Sequence, residues 1–209
     1  MSEIAKKLNQ CRKPKGEMGK FVVEGMNESH FELTTWGLDK IEIKEDSIIL
    51  DIGCGGGRTV NRLASLANKG KVFGIDYSKD CVNWASEYNK ELMEKDKVEI
   101  LNASVEKLPF ENEKFDMVSA VETMYFWPDI VNNLIEIKRV LKPSGKIIVI
   151  NEIYADEKFK ERNDEFIKIG NMEVHTPKEF EELFKKAGYK NIKIDVKEDK
   201  NWICGIGEK

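Results

Sequence analysis

A chain of 209 residues is long enough for one domain with a substantial core and does not call for a second. Hydrophobic residues make up 41% and charged ones 34%, and a formal net charge of -4 gives no positive field for nucleic acid, so a soluble globular protein is expected. The 4 cysteines are isolated and only 2 histidines are present, which argues against a disulfide framework or a structural zinc site, and no bound metal is expected.

In chain order, the start M-S-E-I-A-K-K-L-N-Q lacks the apolar stretch of a signal peptide, and no run approaches the length of a membrane span. A cytoplasmic location without membrane contact is expected. Residues 1 to about 18 are polar, with Pro14 and Gly16 as breakers, and are expected to be loosely ordered. Phe21, Val22, Met26, Phe31, Leu33, Trp36 and Leu38 then predict two short amphipathic helices, broken near Gly25 to Asn27 and closed at Gly37. A strand over 47–52 runs into glycines, and Val60, Leu63, Ala64 and Ala67 mark a helix over about 57–67. Strand two is 71–76, with Ser78 placed to cap a helix over about 79–94. Strand three is 98–102, strand four 115–120, a helix spans 128–141, and strand five is 145–151. This alternation predicts a doubly wound, mostly parallel sheet. Residues 152–175 are charged and irregular, an insertion candidate with helical character near 157–169. Thr176, Pro177 and Glu179 form a capping box with proline at the first helical position, Gly188 stops that helix, and the tail reads as two strands joined by V-K-E-D-K.

The stretch S-I-I-L-D-I-G-C-G-G-G-R-T, 47–59, organises the rest. A buried strand feeding a glycine loop and then a helix presents backbone N–H groups and a positive dipole end to a ligand. A dinucleotide loop would need glycine where Arg58 stands, and no phosphate-cradling Gly-Lys-Ser/Thr follows. What remains is Asp51-x-Gly53-x-Gly55-x-Gly57, which resembles the first motif of the class I S-adenosylmethionine-dependent methyltransferases. The resemblance continues: A-S-V-E-K-L-P-F (103–110) is similar to the family's adenine-site motif, usually G-D-A-E-x-L-P-F, with Ser104 where aspartate is frequent. F-D-M-V-S-A (115–120) and R-V-L-K-P-S-G-K (139–146) are similar to its fourth-strand and fifth-strand approaches, with Ser144 where the family more often has glycine.

The resemblance spans roughly residues 20 to 207 and implies a Rossmann-like α/β fold: a doubly wound seven-stranded mostly parallel sheet with a C-terminal antiparallel hairpin. Residues 1–46 would form an N-terminal helical lid and residues 47–209 the methyltransferase core, with Phe21, Met26 and Trp36 closing over the cofactor crevice. The implied cofactor is S-adenosyl-L-methionine, held by Asp51, Gly53, Cys54, Gly55, Gly57, Asp76, Tyr77, Ser104, Val105 and Val121. Asp76 ends strand two, where a carboxylate can accept two hydrogen bonds from vicinal ribose hydroxyls. The implied reaction is direct methyl transfer to a small-molecule acceptor, by a monomer or homodimer. A base is optional, and should lie near the ends of strands four and five, where Glu122, Tyr125, Glu152 and Tyr154 fall; His30 and Asn27 are polar residues within the lid. His30, Glu122 and Tyr125 are the catalytic candidates. A hydrogen-bonded structural role for His30 and a core role for Tyr125 stay open. So do a protein that binds the cofactor without turnover and an NAD-dependent oxidoreductase, the latter disfavoured by the glycine spacing. His175, just before the Thr176 cap, is expected to be a loop histidine.

Overall fold

The computed structural model describes residues 14–209; Cys11 and most of the terminus expected to be loose lie outside the described residues, as does the Asn27 side chain, while Gly16 to Met18, also expected to be loose, are helical. The elements are α1 (Gly16–Ser29), α2 (Phe31–Leu38), β1 (Ile48–Ile52), α3 (Arg58–Leu66), β2 (Lys71–Asp76), α4 (Lys79–Tyr88), α5 (Lys90–Glu94), β3 (Val98–Asn102) and β4 (Phe115–Val121). They continue with α6 (Ile130–Val140), β5 (Leu141–Asn151), α7 (Lys160–Gly170), α8 (Pro177–Lys186), β6 (Lys190–Lys197) and β7 (Trp202–Glu208). One seven-stranded sheet has the order β3-β2-β1-β4-β5-β7-β6. β1 to β5 pair in parallel, and the β6–β7 hairpin runs antiparallel at the β5 side, as expected.

Alternate side chains of each strand go to opposite faces, which splits the core in two. Leu50, Ile52, Phe73, Ile147 and Val149 meet Leu134 and Ile137 of α6 and Phe180 and Phe184 of α8. Ile49, Val72, Ile148 and Ile150 meet Leu33 and Leu38 of α2, Val60 and Leu63 of α3, and Ala85 of α4.

Several boundaries differ from the sequence expectation. Helix α1 starts at Gly16, its first N–H donating to Asp80 Oδ2 at 3.1 Å, and the break before α2 falls at His30 rather than at Gly25 to Asn27. The expected helix over 79–94 is interrupted at Asn89, whose buried amide donates to the carbonyls of Gly57 (3.0 Å) and Ala85 (2.9 Å). Strand β5 begins at Leu141, four residues early, and its register against β4 shifts between Phe115 and Met117. β6 runs two residues into the segment read as a turn, and its register against β7 shifts between Lys190 and Lys193, where Asn191 has φ 47°.

Ser144 lies in the irregular start of β5 with φ 62°, a left-handed conformation that glycine adopts without penalty and serine does not. Ser144→Gly should therefore raise unfolding stability by about 1 kcal/mol, read as a higher urea midpoint at unchanged slope.

Candidate functional site

The glycine spacing is a backbone requirement. Gly53, Gly55 and Gly57 all have positive φ, at 69°, 50° and 80°, so each alternate position sits where a Cβ is strained. Gly53 and Cys54 donate their N–H groups to the Ile75 carbonyl (2.8 and 2.9 Å), which ties the loop to the end of β2. Those two groups are thus held within the protein rather than offered to a ligand. Gly55 N–H donates to Asp76 Oδ2 at 3.0 Å, and Ser78 N–H to Asp76 Oδ1 at 2.8 Å. Burial raises the Asp76 pKa, and these two backbone bonds oppose the rise.

Around the loop lies a cavity of about 370 Å³ at the C-terminal ends of β1, β2 and β4. Of the expected cofactor residues, Asp51, Gly53, Cys54, Gly55, Asp76, Tyr77, Ser104, Val105 and Val121 line it. Gly57 does not: a Cβ there would meet Asn89 Nδ2 at 2.5 Å and Ala85 at 2.9 Å, so this glycine serves close packing of the loop on α4 while Gly56 faces the cavity. At Gly55 a Cβ would meet nothing within 4 Å. Ser104 Oγ is engaged locally, donating to Glu106 Oε2 at 3.0 Å and accepting from Glu106 N–H at 3.3 Å, and Glu106 lines the cavity with it.

From the two N-terminal helices, Val23 and Met26 of α1 and Phe31 and Thr34 of α2 line the cavity. Phe21 is instead 66% exposed, and Trp36 packs at a tilt against Trp202 with centroids 5.9 Å apart, so of the three aromatic or thioether residues expected in the crevice only Met26 is there. Helical phase decides this: the face of α1 toward the cavity carries Val23 and Met26. α2 is fixed to the core, with Gly37 against Ile150, and to α3, where Arg62 donates to the Phe31 carbonyl (3.3 Å) and Thr35 Oγ1 (3.0 Å). Arg58 and Arg62, both cavity residues missed in the sequence, hold their guanidinium groups 5.0 and 4.7 Å from the Phe31 ring centroid.

At the β4 and β5 ends the structure brings His30, Glu122 and Glu152 together. His30 Nε2 lies 3.3 Å from Glu152 Oε2 and 3.9 Å from Glu122 Oε2, and Glu122 Oε1 accepts the Glu152 N–H. Burial pushes the Glu122 pKa up to about 7 against the pull of His30, with Glu152 adding to the rise. Burial lowers the His30 pKa, but the Glu152 hydrogen bond and the two carboxylates outweigh it and the net shift is upward; Glu152 is correspondingly lowered by His30. Tyr125 is 3% exposed and does not line the cavity; its hydroxyl lies against Glu122 without a hydrogen bond of good geometry, and burial, with the nearby Glu122 and Glu152 charges, raises its pKa. Phe126 and Trp127 line the cavity in its place. His175 lies in the loop before α8, as expected.

Asp51 is buried at the cavity floor, accepting from Ser119 Oγ at 2.6 Å, and burial raises its pKa from 3.8 to about 7. Between those values the folded chain keeps a proton that the unfolded chain has released, so this contribution to stability is complete at acid pH and is lost as pH rises through about 7. The free protein should lose stability between about pH 5 and about pH 8, and Asp51→Asn should lose roughly 2–3 kcal/mol less over that interval, measured by urea unfolding.

Residues 50–149 match the sequence model of a methyltransferase domain. That stretch, just under half of the chain, is similar to a methyltransferase domain. Among its relatives, a sterol 4-C-methyltransferase of Caenorhabditis elegans is 28% identical over 180 residues, covering 83% of this chain and 52% of the relative. A demethylmenaquinone methyltransferase of Bacillus cereus is 32% identical over 111 residues, 53% of this chain and 46% of that protein, so this chain spans about half the length of these relatives. A methyltransferase of Aquifex aeolicus superposes with a TM-score of 0.71 at 24% identity, covering 89% of this chain and 96% of the other, which shows the shared fold. No helix among the described residues is long and apolar enough to cross a membrane.

Proposed function

We propose that this chain is a class I S-adenosylmethionine-dependent methyltransferase, an enzyme that binds S-adenosyl-L-methionine in the cavity and transfers its methyl group, by direct in-line displacement, to a small-molecule acceptor. The observation that carries the reading is one cavity lined by a glycine loop and the Asp76 carboxylate and also by His30 and Glu122, with Glu152 behind them against His30. The residues fit the cofactor: Gly55 leaves open space above the loop, and Asp76, with one backbone bond on each oxygen, keeps acceptor capacity for vicinal hydroxyls. Val105 and the Ser104–Glu106 pair would border the adenine, and Arg58 and Arg62 would supply positive charge at the loop end for a carboxylate. When bound, the cofactor supplies a methyl group already activated on a sulfonium. The chain then has to orient the acceptor's nucleophilic atom toward it, exclude water with Met26, Phe126 and Trp127, and accommodate the proton the acceptor loses. Sterol, menaquinone and geranyl diphosphate methyltransferases among the similar proteins support an organic small-molecule acceptor.

Calorimetric titration should give saturable binding of S-adenosylmethionine and none of NAD, and a screen of methyl acceptors scored by adenosylhomocysteine release should find turnover; NAD binding, or cofactor binding with no acceptor turned over, would refute the corresponding half. The lid gives a separate expectation. Adenosylhomocysteine should slow amide exchange in α1, where Val23 and Met26 meet the cavity, far more than in α2, which is anchored by Gly37 on Ile150. Equal exchange in α1 with and without ligand would make it scaffold.

A further inference from the structure

We propose that His30, Glu122 and Glu152 form a binding site for a divalent metal ion, at the end of the cavity where the methyl acceptor is to lie. Binding of the ion stands on these residues alone; its role in catalysis rests on the methyltransferase reading. Each residue offers one ligand atom, and the three atoms lie within 4.8 Å of one another. Ligands held about 2.1 Å from one ion stand roughly 3.0–3.4 Å from each other in tetrahedral or octahedral arrangements. The 3.3 Å between His30 and Glu152 already fits, and the 3.9 Å between His30 and Glu122 closes with a sub-ångström side-chain movement.

The three ligands come from separate elements that are each held in place. His30 is the junction of α1 and α2, its N–H donating to the Met26 carbonyl and its carbonyl accepting from Thr34. Glu122 follows β4 in a left-handed conformation, φ 60°, and its Oε1 is fixed by the Glu152 N–H, which turns Oε2 toward His30. Glu152 follows β5. A second feature is the Tyr125 hydroxyl: buried beside the Glu122 and Glu152 carboxylates, it forms no hydrogen bond of good geometry with either. Such an orphan is uncommon in a protein interior, and a water on a bound ion, or the ion itself, would satisfy it. One imidazole and two carboxylates suit manganese, ferrous iron or zinc better than magnesium, which favours an all-oxygen shell. Three protein ligands leave positions open. His30 and Glu122 border the cavity, so an acceptor oxygen could reach them, and a cation there would stabilise the oxyanion formed when that hydroxyl gives up its proton to solvent. An acceptor hydroxyl or enol, rather than an ammonium group, is the class this favours.

The test uses the full chain stripped with chelator, and titrates manganese or zinc alone, without cofactor, by calorimetry. The wild type should bind one equivalent, and Glu152→Gln and Glu122→Gln, each checked for its fold by circular dichroism, should weaken binding at least tenfold. Manganese binding should also raise the melting temperature of the wild type and leave both variants unmoved. No saturable binding by the wild type, or equal binding by the folded variants, overturns the site and identifies the three residues as an ion-paired cluster. Separate titration with S-adenosylmethionine distinguishes that failure from failure of the methyltransferase reading.

Discussion

Gly55→Val should fold and fail to bind S-adenosylmethionine. In the free protein the new Cβ meets nothing within 4 Å, so no clash unfolds the loop, although φ of 50° imposes about 1–2 kcal/mol of strain on any residue with a side chain. The branched side chain then fills the space that borders the ligand and holds the loop away from it. Affinity should drop at least a hundredfold by calorimetry, with a two-state melt retained. Gly55→Ala separates the two contributions, because it carries the same backbone strain with little bulk and should bind measurably. A folded Gly55→Val protein with normal affinity would remove the loop from the site. The same substitution at Gly57 should instead damage the fold, since a Cβ there strikes Asn89 and Ala85.

Asp76→Ala should raise the dissociation constant for S-adenosylmethionine by at least a hundredfold, or about 3 kcal/mol, from two lost charge-assisted hydrogen bonds at about 1.5–3 kcal/mol each. The carboxylate has a second task that enlarges the effect: its two oxygens hold the N–H groups of Gly55 and Ser78, so the alanine also removes one of the ties between the glycine loop and β2, leaving those of Gly53 and Cys54 to the Ile75 carbonyl. Asp76→Asn keeps one acceptor oxygen and should fall between the wild type and the alanine variant. An unchanged constant would mean that the ribose is held by other residues.

How much of this was legible depended on whether the cause was local. The five parallel strands are apolar runs bounded by turns, the α8 capping box is written in Thr176, Pro177 and Glu179, and the glycine spacing is a direct record of three positive φ angles. The break at Asn89 was not legible, because a buried amide reaching across to the Gly57 carbonyl is a tertiary cause within an ordinary helical pattern. Trp36 has the same apolar character as Met26, and only the docking of α2 on β5 sends it to Trp202 and away from the cavity. Glu122 and Tyr125 stand close in the chain at a strand end and could be singled out there; that His30 and Glu152 complete one cluster followed from the sheet order and the lid. Arg58 carried a signal that was read only against dinucleotide binding, although a cation beside a glycine loop is also a candidate for an anionic group of the ligand.

The irregular pairing of β6 has a meaning outside the site. This strand is the last in the sheet, and an open edge offers its backbone to any other extended chain. The register shift between Lys190 and Lys193 interrupts the even ladder such a chain would need, and the charges of Lys190 and Lys193 would have to be brought against an incoming strand. A variant with a regular, uncharged β6 would be expected to self-associate through that edge while its cavity, built at the other side of the sheet, stayed competent.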